Sequence, residues 1–245
     1  MHSRMTLATA RRVMQQLLHD HRTLALLFVA PCVLLGLLAW IYADTPGMFD
    51  RLGPPLLGIF PFVVMFLTTS ITTLRERSSG TLERLLAMPI GKLDIIMGYA
   101  LAFGTVGIVQ AIIASMLALR VYGLDVAGPE WFLVVVALVD ALLGMSLGLF
   151  VSAFARTEFQ AVQFLPAFIL PQFLLCGLIV PVAQLPHVLE RVANVLPLTY
   201  AVQAMQEISL HVSISHTAYR DVGVVLLFVL AAIVLGATTL RRQTK

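Results

Sequence analysis

Charge is the scarce ingredient of this chain. Asp, Glu, Lys and Arg make up only 12% of its 245 residues, about half the roughly 25% usual in soluble domains. With 59% hydrophobic residues and a mean hydropathy of +0.93, the composition excludes an ordinary soluble domain and predicts an all-α polytopic membrane protein. Cysteine is nearly absent. Cys32 and Cys176 both stand in apolar runs and read as small buried hydrophobes, not as a disulfide or a metal site. The six histidines show no ligand spacing. No G-x-x-x-x-G-K-[ST] occurs, and Gly91-Lys92-Leu93 lacks both the upstream glycine spacing and the Ser or Thr. No nucleotide site, cofactor or metal is therefore expected in this chain. Repeats and low-complexity tracts are also missing, so a single domain over 1–245 is expected, with nothing pointing to nucleic acid.

What is present is a series of apolar runs, each near the roughly 20 residues that a bilayer requires. Six spans are predicted at 24–42, 52–74, 95–119, 131–155, 161–181 and 222–240. Pro54, Pro55 and Pro61 predict a kink or a late start in the second span, and Pro166 and Pro171 a bend in the fifth. Ahead of the spans, residues 1–22 carry Arg4, Arg11, Arg12 and Arg22 beside Ala10, Val13, Met14, Leu17 and Leu18 at helical spacing. That pattern predicts an amphipathic helix lying in the membrane interface. It stands too far ahead of the first span for a signal-peptide n-region, and no A-x-A site follows.

Twelve Lys and Arg residues flank one side of these spans. They are Arg4, Arg11, Arg12, Arg22, Arg75, Arg77, Arg84, Lys92, Arg156, Arg241, Arg242 and Lys245, against four on the other, Arg51, Arg120, Arg191 and Arg220. The excess predicts that the first side is cytoplasmic, with both termini there and the chain in the inner membrane.

The longest polar interruption is Arg75-Glu76-Arg77-Ser78-Ser79-Gly80-Thr81-Leu82-Glu83-Arg84-Leu85-Leu86-Ala87-Met88-Pro89. It holds five charges between Arg75 and Arg84, with Lys92 and Asp94 soon after. Burying all seven in lipid would cost roughly 20 kcal/mol, which a few leucines at about 0.5 kcal/mol each cannot offset. This stretch therefore lies in water. Thr81 is the expected N-cap of a short helix, Glu83 falls in its first turn, Leu82, Leu85 and Leu86 share a side, and Pro89 and Gly91 stop it. Such a helix can dock on a soluble partner. On physics alone, a solvated loop joining two spans is the plainer reading.

The run RERSSGTLERLLAMPIGKLDIIMGYAL resembles the cytoplasmic loop of ABC-2 type transporter permeases. That family carries an Arg-Glu pair at the end of its second span, then a Gly-Thr-Leu-Glu run, a Leu-Leu pair and a Pro. The matching positions here are Arg75-Glu76, Gly80-Thr81-Leu82-Glu83, Leu85-Leu86 and Pro89. The start of the first span, LLHDHRTLALLFVAPCVLL, is similar too, although His19-Asp20-His21-Arg22 departs in two of four positions from the usual Arg-Asp-Pro-Arg. In the last outer loop, 182–221, and just before it, Gly177, Pro181, Leu185-Pro186 and Pro197-Leu198-Thr199-Tyr200 also match, with Leu196 where the family has Asn. The resemblance implies short helices dipping back into the outer leaflet, and Val188 to Asn194 has an amphipathic pattern that suits one. It also implies that the loop 75–94 holds a coupling helix. An ATP-binding subunit carrying ATP and Mg would dock there, and a second permease subunit, identical or related, would complete the exporter. Arg75, Glu76, Glu83 and Arg84 would transmit force, and Leu82, Leu85 and Leu86 would dock.

Asp140 is the one acidic residue deep within a predicted span, and such residues are functional candidates. Gly144, Gly148 and Ser152 follow at steps of four, a stripe that lets another helix approach. Asp140 reads either as a helix-packing group or as part of a substrate or proton route. The second option makes a proton-coupled carrier the alternative function. Thr69 and Thr72, in a cluster with Thr68, Ser70 and Thr73, read as packing hydroxyls or as a polar lining. Gly144-Met145-Ser146-Leu147-Gly148 matches G-x-S-x-G, but no histidine occurs in 222–240 to serve Ser146 as a base, which argues against an intramembrane protease.

Overall fold

The computed structural model describes residues 3–81, 84–85 and 91–239. They are mostly helical, without strands. The helices are α1 Ser3–His19, α2 His21–Ile41, α3 Met48–Ser78, α4 Lys92–Arg120, α5 Glu130–Val151, α6 Glu158–Phe164, α7 Leu170–Leu175, α8 His187–Ala193, α9 Pro197–Leu210 and α10 His216–Thr239. A π-helical turn, Leu165–Ile169, joins α6 to α7. Among the described residues five helices, α2, α3, α4, α5 and α10, are long and apolar enough to cross a membrane.

The fifth predicted span corresponds to α6, the π turn and α7, which together cover 158–175 instead of 161–181. Pro166 and Pro171 lack the N–H groups that an unbroken helix uses, and the wider turn lies where they fall. The second span starts earlier than expected. It neither starts late nor breaks, because α3 begins at Met48 and continues for 31 residues through Pro54, Pro55 and Pro61. The carbonyls freed by Pro54 and Pro55 belong to Asp50 and Arg51, in the first helical turn. Around the prolines, Gly53 to Ile59 are buried, so that half of the helix packs against the core. At about 46 Å, α3 exceeds the hydrocarbon thickness and carries Arg75 and Arg77 past it. The fourth span ends at Val151, earlier than the expected 155, and the last begins at His216, earlier than 222.

The core is the seam between α3 and α5, and glycine makes it. A Cβ on Gly144 would lie 2.1 Å from the Phe62 carbonyl oxygen, and one on Gly148 would lie 2.6 Å from that of Phe66. Only a residue without a side chain admits so close a backbone. Opposite, α3 offers Gly58, where a Cβ would stand 2.8 Å from Asp140 Oδ2 and 3.2 Å from Met205 Cε. Met205 belongs to α9, so α9 reaches the level of Gly58, about 15 Å along α3 from its start. Leu198, Ala201, Val202, Ala204 and Ile208 of α9 are buried with it. At that end of the bundle the Gly128 N–H donates to the Ile208 carbonyl at 2.9 Å, and the Asp125 N–H to Asp50 Oδ1 at 2.9 Å.

Pro31 interrupts α2 and leaves the Leu27 carbonyl without its helical N–H. Gln110 of α4 supplies the missing donor, with Nε2 2.6 Å from that oxygen. A membrane helix keeps a proline where a neighbour satisfies the freed group.

At the opposite, basic end, α1 lies across α4. Thr6, Thr9, Val13 and Leu17 are buried, and a Cβ on Gly98 would meet Thr9 Cβ at 2.6 Å. Leu7 and Leu18 stay exposed. The helix therefore has one edge on protein and another apolar edge free, the arrangement an interfacial helix needs.

Candidate functional site

The end of α3 is where the polar groups of the basic end converge. Glu76 is 7% exposed. Its Oε2 accepts from Arg12 Nη2 of α1 at 2.7 Å and from the Tyr99 hydroxyl of α4. Arg12 Nη2 also lies 3.1 Å from Tyr99 Oη. A carboxylate this buried requires a paired cation and hydrogen bonds to remain there. Burial works against the Arg12 charge. The hydrogen bond and charge of Glu76, with Tyr99, more than offset it and hold Arg12 above its ordinary value.

Arg75, one residue earlier, points to another element. Its Nε and Nη2 donate to the two oxygens of Glu158, at 2.7 and 3.0 Å. This bidentate fork holds the Glu158 carboxyl below the usual carboxylate range. Glu158 opens α6, whose N-cap Thr157 accepts from the Gln160 N–H. Asp20 caps α2 by accepting from Thr23 Oγ1 at 2.6 Å and from its N–H at 3.1 Å. Those bonds, with the Arg75 charge, hold Asp20 below its ordinary value. Thr6 Oγ1 reaches buried Asp94 of α4 at 3.3 Å. Thus the adjacent residues Arg75 and Glu76 tie the end of α3 to α1, α4 and α6.

After α3 the chain turns through Gly80, whose φ of +71° suits glycine. The Arg84 N–H donates to the Gly80 carbonyl at 3.1 Å. That first helical bond makes Gly80 the cap position and places Thr81 inside the turn, not at its cap as the sequence suggested. Ser79 Oγ and Thr81 Oγ1 lie 2.9 Å apart. Arg84 is exposed, while Leu85 is 9% exposed and joins the main apolar core. Leu85 therefore packs against its own chain. Leu82, Glu83, Leu86 and Pro89 lie outside the described residues.

Asp140, Gly144, Gly148 and Thr69 come together in the α3–α5 seam. Asp140 is 1% exposed and its Oδ1 has no partner among the described residues. Thr69 is fully buried against Gly148. Thr72 stands apart, at the wall of two cavities near Arg75. Ser146 donates back to the Leu143 carbonyl at 2.9 Å, a packing role.

In the sequence Arg12 and Asp94 stand out only as charges, and Tyr99 and Glu158 not at all. Arg12 carried a partial signal, because it lies three residues beyond Thr9 on the edge of the buried face. For Tyr99 and Glu158 no local pattern distinguished them from any other polar residue near a span end.

Comparison with known proteins agrees with this architecture. The ABC-2 type transporter family pattern matches residues 5–210. ABC transporter G family member 20 of Dictyostelium discoideum is 29% identical over 192 residues, covering 78% of this chain and 26% of the relative. The probable multidrug ABC transporter permease YbhS of Escherichia coli is 25% identical over 193 residues, 78% of this chain and 51% of the relative. The linearmycin resistance permease protein LnrN of Bacillus subtilis is 28% identical over 137 residues, 56% and 35% respectively. The chain thus spans about a quarter to a half of the length of these relatives. Its apolar helices and bacterial relatives make it a multi-pass protein of the inner membrane. With most of its length matched by the family pattern, the chain belongs to the ABC-2 type transporter family.

Proposed function

We propose that this chain is the membrane-spanning subunit of an ATP-driven exporter of amphiphilic drugs, lipids or lipid-linked molecules. ATP and Mg are bound by a separate ATP-binding subunit, and a second permease, identical or related, completes the transporter. The basic end faces the cytoplasm, as the distribution of Lys and Arg requires. The observation that carries the reading is the double tie at Arg75 and Glu76. The family's coupling loop begins at this pair, and the pair holds α3 to α1, α4 and α6. Closure of the ATP-binding subunits pushes on 75–89, and these four elements move together. The names of the relatives, a multidrug permease and a linearmycin resistance permease, support export as the direction of transport.

The test is purification of the tagged chain in mild detergent from its host. A stoichiometric ATP-binding protein should accompany it. Because Leu85 is buried in the chain's own core, Leu85→Asp reports partly on folding, and exposed Arg84 is the cleaner probe. Arg84→Glu should weaken recovery of the ATPase or uncouple ATP hydrolysis from export, with thermal stability unchanged. A chain that purified alone and moved protons in liposomes would overturn the reading in favour of a carrier centred on Asp140.

A further inference from the structure

Two cavities meet at the basic end of α3. One, of about 300 Å³, lies among α1, α2 and α3 and is lined by Gln16, Asp20, Thr72, Arg75 and Glu76. The other, of about 330 Å³, follows the seam between α2 and α3 past Leu26, Ala30, Val64, Leu67 and Ile71. Thr72 and Arg75 belong to both, so the polar chamber and the apolar groove share a wall. Each is large enough for part of a small ligand.

The polar chamber is unevenly satisfied. Glu76 Oε2 is occupied by Arg12 and Tyr99, but Oε1 is buried without a hydrogen-bond partner among the described residues. Leaving such an acceptor unpaired is costly, and a ligand N–H would satisfy it. Arg75 uses Nε and Nη2 on Glu158, which leaves Nη1 for another acceptor. Of the residues that line the chamber, Arg75 is positive and Asp20 and Glu76 are negative, a sum of minus one. An anionic ligand would raise that imbalance, whereas a group with a protonated amine would offset it.

We propose that the joined cavities bind a membrane amphiphile whose head group places a protonated primary amine beside a phosphate, as an aminophospholipid does. The ammonium donates to Glu76 Oε1 and to Asp20, the phosphate accepts from Arg75 Nη1, and an acyl chain lies in the α2–α3 groove. A quaternary ammonium has no N–H for Glu76, so the site prefers the primary amine. The role of the site, loading of a transported amphiphile, rests on the export reading; binding itself does not.

The experiment uses the full chain with its partner subunits in phosphatidylcholine nanodiscs holding a trace of phosphatidylethanolamine with a photoreactive acyl chain. Crosslinks should concentrate on residues 26–30 of α2 and 64–71 of α3. Unlabelled phosphatidylethanolamine should compete them away, and added phosphatidylcholine or phosphatidylglycerol should compete poorly. Asp20→Asn and Thr72→Trp, the second filling the shared wall, should each lower labelling roughly five-fold without loss of thermal stability. Labelling spread over all lipid-exposed helices, equal competition by the three lipids, or indifference to Thr72→Trp would overturn the proposal. So would a groove left unlabelled because a second copy covers it. Failure here with an ATPase still co-purifying removes the site and leaves the export reading standing.

Discussion

Gln110 Nε2 donates to the Leu27 carbonyl oxygen at 2.6 Å, the carbonyl that Pro31 leaves without a helical donor. One side chain on α4 thus completes the backbone of α2.

That relationship predicts a coupled pair of substitutions. Gln110→Leu strands the buried carbonyl and should destabilise the protein by about 1–3 kcal/mol. In a Pro31→Ala background the helix restores its own bond, and the same substitution should cost about 1 kcal/mol less. Thermal unfolding of the four proteins in one detergent measures the difference. Equal costs in both backgrounds would mean that Gln110 does not serve Leu27.

The Arg12–Glu76 pair, 2.7 Å apart, makes a second prediction. Arg12→Met leaves Glu76 buried without its cation and should cost about 3 kcal/mol. Adding Glu76→Gln removes the stranded charge and should recover much of that stability. Export should remain low in the double variant, because α1 is no longer tied to α3 by charge. Full export with restored stability would show that the tie is structural only.

Glycines with and without neighbours should behave oppositely. Gly144→Ala would drive a Cβ to 2.1 Å from the Phe62 carbonyl oxygen and should destabilise by about 1–3 kcal/mol through a forced separation of α3 and α5. Gly223→Ala, with nothing within 4 Å of its Cβ, should be neutral or stabilise by up to about 1 kcal/mol. A thermal-shift comparison decides it.

For Asp140 the expected outcome separates charge from shape. Its carboxylate stands against Gly58, so packing predicts that Asp140→Asn exports within about two-fold of the parent protein. Loss of export in Asp140→Asn, at normal expression and stability, would make Asp140 a working charge on a substrate or proton route.

Much of this molecule was legible before any coordinates. Five spans lie where apolar runs of about 20 residues predict them, because the cost of polar groups in lipid is local and large. The Gly144 and Gly148 stripe announced a close helix contact. The Arg75-Glu76 pair stood out as part of a charged island. The prolines of α3 do not delay its start, which falls at Met48, because packing that the sequence does not display buries Gly53 to Ile59 around Pro54 and Pro55. Thr81 misled as a cap because Gly80, with its positive φ, lets α3 end and the next turn begin at one residue.

The sequence alone determined that this chain lies in a membrane, roughly where it crosses, and which stretch stays in water, since each follows from summing transfer costs over a short window. Tertiary structure alone decided the partners. Arg12 and Glu76 are 64 residues apart, Gln110 and Leu27 are 83 apart, and Arg75 and Glu158 are 83 apart. A buried polar group must be satisfied by whatever donor the fold brings within about 3 Å, and that neighbour is fixed by how the helices pack, not by the residues adjacent along the chain.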